Sequence, residues 1–117
     1  MPNSPIDLVE SFAAEVEAQD HCMDRGDSAS GNAHAQRFVS AARSLLDGGH
    51  DSIEAFTKLL AHANPSVRVM AAAFLLKERT KQAFDVLTVA AAGSGTAAFG
   101  AQRALDRYTR GILEIDA

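Results

Sequence analysis

Apolar residues recur along most of the chain at intervals of three and four positions, the spacing that aligns side chains on one face of an α-helix. Clusters of glycine, serine and asparagine interrupt this pattern and divide the chain into about six helical segments. The predicted segments are about 6–23, 32–46, 51–63, 65–78, 81–91 and 97–110. No segment alternates apolar and polar residues with a period of two, so the pattern predicts an all-α fold.

The segment that begins at Asn64 carries the strongest local signals. The side chain of Asn64 is predicted to cap the helix, and Pro65 follows at the first helical position, where its missing N–H costs nothing. Apolar residues from Val67 to Leu75 form one stripe. The alanines at positions 71–73 leave room for another helix to approach closely, which places this segment at the centre of the predicted core.

Cap and turn residues predict where other helices begin and end. Gly26 should end the first helix, and residues 28–31 should form a turn before the second. Asp51 and Glu54 have the spacing of a capping box that opens the third helix, and Gly111 should end the sixth. Each helix contributes an aromatic residue to the predicted core, with one further apolar residue at the end of the first stripe: Phe12, Phe38, Phe56, Phe74, Phe84, Phe99, Tyr108 and Met23.

A family resemblance rests on the central segment. The stretch Asn64-Pro65-x-Val67-Arg68-x-x-Ala71-Ala72-x-x-Leu75 resembles the second-helix signature of a HEAT-type repeat, in which Asp-Pro more often stands first. Together with its surroundings it is similar to an uncharacterised bacterial family of short HEAT-like proteins, a domain of unknown function, over about residues 5–111. The supporting positions are Leu8 to Phe12, Asn32, Leu59, Leu60, Phe99, Ala101, Leu105 and Tyr108, the last standing where the family commonly has Trp.

The resemblance implies a HEAT-like α-α superhelix of about six antiparallel helices stacked in three pairs, because a single pair buries its apolar stripes only partly. The stripes alone fit an irregular closed bundle equally well. Some relatives resemble immunity or partner proteins encoded beside bacterial toxins, which implies an interaction role without chemistry.

The length of 117 residues predicts one domain over residues 1–117. Residues 1–5 contain two prolines and are expected to form a loose arm, and residues 112–117 are expected to pack loosely or fray. The single cysteine, Cys22, cannot form an internal disulfide, and the chain opens without a signal-peptide pattern or a long apolar run. These features predict a cytoplasmic protein that neither enters nor crosses a membrane.

Residue types that bind metals cluster at the end of the first helix: Asp20, His21, Cys22 and Asp24. Successive helical side chains diverge by about 100°, so His21 and Cys22 do not converge, and two carboxylates alone hold a hard cation weakly. Ser94 lies between two glycines but lacks the preceding strand that a nucleophile elbow requires. The sequence therefore predicts no catalytic, cofactor-binding or metal-binding residues and no cofactor.

Arg68 stands in the motif that carries the resemblance. In HEAT-type repeats the corresponding arginine is structural and reaches an acid or a carbonyl at the neighbouring turn, a task that suits the guanidinium fork. Contact with a ligand is the alternative for this residue.

Charge is distributed unevenly along the chain. Residues 1–27 contain seven acids and one base, a net charge of −6, whereas residues 28–117 carry a net charge of +2. The acidic first helix is either a partner surface for a basic target or an ordinary solvated face.

Three arginines follow one side of the last predicted helix: Arg103, Arg107 and Arg110. Lys77, Arg79 and Lys81 add a basic cluster between the fourth and fifth helices. Such stripes contact phosphates in HEAT-like nucleic-acid proteins, yet the sequence pI is about 5.4 and no aromatic residue is interleaved for base stacking. A solvated face, a protein partner and nucleic acid all remain open for these residues.

The sequence thus predicts a non-enzymatic protein-interaction module whose partner-binding residues are Arg103, Arg107 and Arg110. Its most concrete form is an immunity-like protein that neutralises a bacterial toxin. The alternatives are a small nucleic-acid-binding protein that uses the basic stripe and a scaffold that assists an enzyme. Neither the partner, the binding face nor the oligomeric state follows from the sequence.

Overall fold

The computed structural model describes the backbone of residues 4–116 and the side chains of residues 4–111. Within that range the chain forms six α-helices and one 3₁₀ turn and contains no strand, which confirms the predicted all-α fold. The helices are α1 (Pro5–Asp24), α2 (Ser28–Asp47), α3 (His50–Thr57) continued by the 3₁₀ turn Lys58–Ala61, α4 (Pro65–Leu75), α5 (Thr80–Ala91) and α6 (Thr96–Asp116).

The first helix begins earlier than predicted. Ser4 is its cap, because the Ser4 hydroxyl accepts a hydrogen bond of 3.2 Å from the backbone N–H of Asp7, and Pro5 stands at the first helical position. The prediction of a loose arm is therefore wrong for Ser4 and Pro5, and its remainder, residues 1–3, lies outside the described residues.

The second helix also begins earlier, at Ser28, so the predicted turn at residues 28–31 is wrong. Gly26, with φ of +75°, follows the end of α1 as predicted. Asp27 then caps α2, because its carboxylate accepts a 3.1 Å hydrogen bond from the backbone N–H of Ser30. The same bond holds the pKa of Asp27 below its usual range. Serine and aspartate are both good caps, and here the aspartate shortens the connection to residues 25–27.

Further boundaries also differ from the prediction, among them the end of α4, which lies at Leu75 and not at about residue 78. Gly49 precedes α3 with φ of +89° and no side-chain cap, so the capping box from Asp51 to Glu54 does not form. Helix α6 continues through Gly111 to Asp116, because Gly111 does not adopt the left-handed conformation that ends a helix. The backbone of residues 112–116 is thus helical, and the predicted looseness of their side chains falls outside the described residues.

Contacts between side chains define the direction of the helices. Glu15 contacts His34 and Phe12 contacts Phe38, so α1 and α2 are antiparallel. Phe84 contacts Tyr108, and Gln102 donates a hydrogen bond to the Ala91 carbonyl, so α5 and α6 are antiparallel as well. Helix α4 contacts α1 on one side and α5 and α6 on the other, which joins the three pairs α1–α2, α3–α4 and α5–α6 in chain order.

Four aromatic rings meet where the first four helices converge. Phe12 of α1 lies at the centre, with edge-to-face contacts to Phe38 of α2, Phe56 of α3 and Phe74 of α4 at centroid distances of 5.7, 4.9 and 6.0 Å. Phe12 and Phe56 are completely buried. The predicted inward orientation of these four residues is confirmed, and the rings bind the first two helix pairs into one core.

The inward prediction is wrong for Phe84 and Phe99 of the last helix pair, and also for Met23, which stands in the last turn of α1 where the chain leaves that helix. Phe84, Met23 and Phe99 have exposed fractions of 41, 52 and 61%. Helices α5 and α6 form the last pair of the row and have a neighbour on one side, so their buried faces are narrow and consist largely of alanine. An aromatic residue at the edge of such a narrow face is left partly in solvent.

Candidate partner-binding surface

An open groove of about 500 Å³ lies between α4 and α6. Its walls are apolar, with the rings of Phe74 and Tyr108 and the side chain of Leu76, and its edge carries the basic residues Lys77 and Arg107. Below, the α4–α6 groove means the hollow bounded by these residues together with Ala73, Ala104 and Gly111. An apolar hollow with a few charged groups at its edge is the usual form of a protein-binding or ligand-binding site.

The groove follows from the packing of two helices that run in the same direction. A Cβ atom on Gly100 would contact Val69, and further along both helices Tyr108 shares the groove with Phe74. Residue numbers therefore increase in the same direction along α4 and α6, so the two helices are parallel. Small residues on the facing sides, Ala73 and Ala104, leave a gap that the neighbouring rings do not fill. The alanines at 71–73 predict that another helix approaches closely here, but nothing in the sequence identifies which helix lies opposite.

The three predicted arginines occupy different environments on α6. Arg107 lies at the edge of the α4–α6 groove. Arg103 places its guanidinium 5.8 Å from the centre of the exposed Phe99 ring, and Arg110 forms an ion pair of 3.2 Å with Asp106 one turn earlier. All three are exposed. Arg107 is therefore the arginine of the stripe that adjoins the groove, whereas Arg103 lies over a single exposed ring and the charge of Arg110 is partly compensated.

The basic cluster between α4 and α5 also divides. Arg79 pairs with Glu54 at 3.0 Å, and Lys81 pairs with Asp85 at 3.5 Å. Lys77 lies at the groove instead and, like Arg107, belongs to no ion pair within residues 4–111. Two positive charges that have no ion-pair partner among the described side chains thus flank an apolar hollow, an arrangement that favours an occupant with both apolar and negative groups.

Arg68 has the structural contacts that its motif predicts. Its Nη1 atom donates hydrogen bonds of 2.8 Å to the carbonyl of His62 and 3.1 Å to that of Ala63, both in the turn before α4. The other expected feature of this turn is also present, since the Asn64 side chain accepts a 2.8 Å bond from the N–H of Ser66. A single nitrogen serves both carbonyls, however, so the two ends of the guanidinium fork are not both engaged.

Replacing Arg68 by alanine is expected to lower the free energy of unfolding by about 1–3 kcal/mol, because two carbonyls lose a charged donor. Arg68→Lys should recover much of this loss, since one ammonium group can donate to both oxygens. Urea denaturation of the two variants measures the difference. Unchanged unfolding of Arg68→Ala together with weaker partner binding would instead make Arg68 a contact residue.

Helix α1 carries an acidic face. Asp7, Glu10, Glu17 and Asp24 are exposed and follow one another at intervals of three or seven residues, which places them on the same side of the helix. Below, the acidic stripe means these four residues. Their regular spacing is a feature that a count of the acids in the segment does not reveal. Three acids of α1 contact neighbouring elements. Glu15 contacts His34 of α2, Asp20 accepts a 2.6 Å hydrogen bond from the Ser66 hydroxyl, and Glu17, itself part of the stripe, accepts a 3.3 Å bond from the Asn64 amide.

The cluster at the end of α1 has a packing role. Cys22 is buried, and Asp20 accepts the hydrogen bond from Ser66 of α4. Within residues 4–111 no three His, Cys, Asp or Glu side chains come together as metal ligands would. A contact that sequence reasoning missed is the polar cluster of Glu15, His34 and Arg37, in which the His34 ring lies 2.5 Å from the Glu15 carboxylate and links α1 to α2.

Over the residues that the structure describes, no helix combines the length and apolar character needed to cross a membrane.

Comparisons with known proteins support the fold and leave the function open. No protein-family model matches the chain, and no curated protein is significantly similar to it in sequence. Among solved structures, it is similar to the crystal structure of the protein RPA1889 from Rhodopseudomonas palustris, with a TM-score of 0.85 and 24% sequence identity. The match covers 92% of this chain and 90% of the bacterial protein, so it extends over nearly the whole arrangement of helices. The name of that protein states no activity.

Proposed function

We propose that this chain is a non-enzymatic, HEAT-like protein-interaction module that binds an acidic, amphipathic segment of a partner in the α4–α6 groove. The observation that carries the proposal is the combination of an apolar hollow of about 500 Å³ with Lys77 and Arg107 at its edge. A partner that binds there buries apolar side chains against Phe74 and Tyr108 and neutralises two charges that form no ion pair within residues 4–111.

The arrangement of the helices supports the HEAT-like part of the proposal. Three consecutive pairs pack in chain order, and the groove lies between the second helices of two successive pairs, α4 and α6. Second helices of such pairs form the inner surface of a helical superhelix, where extended binding surfaces are located. The Asn64 cap and the Arg68 contacts reproduce the turn that the resemblance implies.

The identity of the partner is proposed from the resemblance alone. An immunity-like protein acts by covering the surface of a toxin, which requires a rigid complementary surface and no catalytic group. The cytoplasm is the proposed compartment, in keeping with the one buried thiol, Cys22.

Binding to nucleic acid is the second candidate, and the exposed arginines of α6 favour it. Arg103, Arg107 and Arg110 lie within about two turns of helix and could contact successive phosphates. The acidic stripe of α1 and the net charge of −4 oppose it, as does the Asp106 carboxylate on Arg110. The protein partner is therefore the better-supported proposal.

The proposal is tested by capture of partners with a double variant, Arg103→Glu with Arg107→Glu. This variant should fold normally, because exposed charge changes usually alter stability by less than about 0.5 kcal/mol. It should recover much less of a specific protein partner than the unmodified chain does, and the difference should shrink as salt is raised. Quantitative mass spectrometry of the recovered proteins, with bound nucleic acid measured in parallel, provides the comparison.

A matched control is the pair Arg43→Glu with Lys58→Glu, which changes the net charge equally. Arg43 and Lys58 are exposed on other helices and belong to no ion pair within residues 4–111. Equal recovery of the partner by both double variants would remove α6 from the proposed surface. If the amount of recovered RNA or DNA falls steeply as salt is raised, and is lost in the Arg103→Glu, Arg107→Glu variant, the nucleic-acid alternative is established instead.

A further inference from the structure

The α4–α6 groove has a complementary surface on the same chain, at the start of α1. Ile6 lies in the first turn of α1 and is 68% exposed, although it is a large apolar side chain. Asp7 and Glu10 flank it, the first as the next residue and the second one turn later on the same side. Both acids are exposed, and neither belongs to an ion pair within residues 4–111.

Val89 and Phe99, which are also strongly exposed, lack these surroundings. Val89 is 77% exposed, but Asp85, one turn earlier, is already paired with Lys81 at 3.5 Å. Phe99 lies beneath the guanidinium of Arg103, so its neighbourhood is basic. Met23 is 52% exposed and adjoins Asp24, but Asp20, one turn earlier, accepts a hydrogen bond from the Ser66 hydroxyl. Among the described residues, Ile6 is the more exposed of the two and has beside it two exposed acids that belong to no ion pair.

We propose that the α4–α6 groove of one molecule receives the first turns of α1 from a second copy of the chain. Ile6 enters the apolar hollow between Phe74 and Tyr108, while Asp7 and Glu10 approach Lys77 and Arg107. The inference rests on the proposed function because it uses the same groove. The occupant it names is a second copy of the chain, which is available wherever the protein is concentrated.

Charge complementarity carries the choice of occupant. The acidic stripe and the groove edge have opposite signs, and each bears charges that the chain itself does not compensate within residues 4–111. If each of two molecules inserts the first turns of its α1 into the groove of the other, the contact closes into a two-fold dimer. If the insertion is not reciprocal, the contact extends into longer arrays. In either assembly the groove is occupied, so another acidic partner must compete with a second copy for it.

The test measures the mass of the full chain in solution by sedimentation over a range of concentrations. At about 0.1 M salt the chain should associate reversibly, and at about 1 M salt, where charges are screened beyond about 3 Å, it should dissociate. Arg107→Glu and Glu10→Lys should each raise the dissociation constant at least about tenfold. Ile6→Ser should weaken association at about 0.1 M salt although it changes no charge, because it removes the apolar contact.

Mixing the two charge variants provides the decisive result. Arg107→Glu and Glu10→Lys together restore opposite charges across the contact, so an equimolar mixture should associate more strongly than either variant alone. Arg43→Glu serves as the control for a charge change on another helix and should associate like the unmodified chain. Thermal unfolding of each variant confirms that the fold is retained.

A chain that remains monomeric at all concentrations and at low salt would overturn this inference. Association that neither Arg107→Glu nor Glu10→Lys weakens would overturn it as well. Neither result decides the proposed function. The capture experiment tests it, because there the recovery of a different protein must fall when Arg103 and Arg107 are changed. Unchanged capture by the Arg103→Glu, Arg107→Glu variant, together with self-association that Arg107→Glu weakens, would conversely reject the proposed function while retaining the second-copy contact.

Discussion

Replacement of Phe12 by alanine is expected to lower the free energy of unfolding by about 3–5 kcal/mol. Phe12 is completely buried, and its ring makes edge contacts with three other aromatic rings, at centroid distances from 4.9 to 6.0 Å. The rings come from α2, α3 and α4, so the cavity would open where four helices meet and could not close by the movement of one of them. Urea denaturation followed by circular dichroism measures the loss.

Phe12→Leu and Phe99→Ala are the matched controls for this prediction. Phe12→Leu keeps most of the apolar volume and should cost markedly less than Phe12→Ala. Phe99→Ala removes an equal side chain from a position that is 61% exposed and should have a small effect. A loss below about 1 kcal/mol for Phe12→Ala would show that the aromatic cluster does not hold the first two helix pairs together.

Leu75→Ala is expected to cost about 2–5 kcal/mol. Leu75 is completely buried at the last turn of α4, the helix that contacts both the first and the last helix pair. Removing three carbon atoms there leaves a void between elements that are fixed by contacts on either side. The measurement is the same denaturation curve, with its slope compared to that of the unmodified chain to detect partial unfolding.

Val89→Ala is the control for Leu75→Ala, because Val89 is 77% exposed and should contribute little. If both variants lost similar and small amounts of stability, α4 would not be the central helix of the fold. An altered slope with Leu75→Ala would indicate that α5 and α6 separate from the rest before complete unfolding.

The helical fold could be predicted because its signals are local. Spacing of apolar residues identified each helix, and Asn64 with Pro65 fixed the start of α4 to the residue. Boundaries failed where two residues competed for the same role. Asp27, Ser28 and Ser30 can all cap a helix, and the choice of Asp27 depends on how closely α1 and α2 approach at the buried Gly31.

The groove could be predicted only in part. Aligned arginines on the last helix were visible in the sequence, but their surroundings depend on which helix lies opposite. That Arg107 adjoins a hollow, whereas Arg110 pairs with Asp106, follows from the parallel packing of α4 and α6, two helices separated by α5 in the chain. Exposure of Phe84 and Phe99 likewise reflects the absence of a further pair beyond α6 within the described residues.

The last pair of helices, α5 and α6, contacts the rest of the molecule mainly on one side, along α4. Helices α5 and α6 make their extensive contacts with α4 and the 3₁₀ turn, whereas the aromatic cluster holds α1 to α4 together without them. Such a unit can open as a foldon at lower free energy than the whole chain. The α4–α6 groove lies along this contact, so an occupant that touches both walls would hold α6 against α4. By binding the closed form alone, it would hold the last pair in place by mass action and make the cooperativity of the whole chain depend on whether a partner is bound.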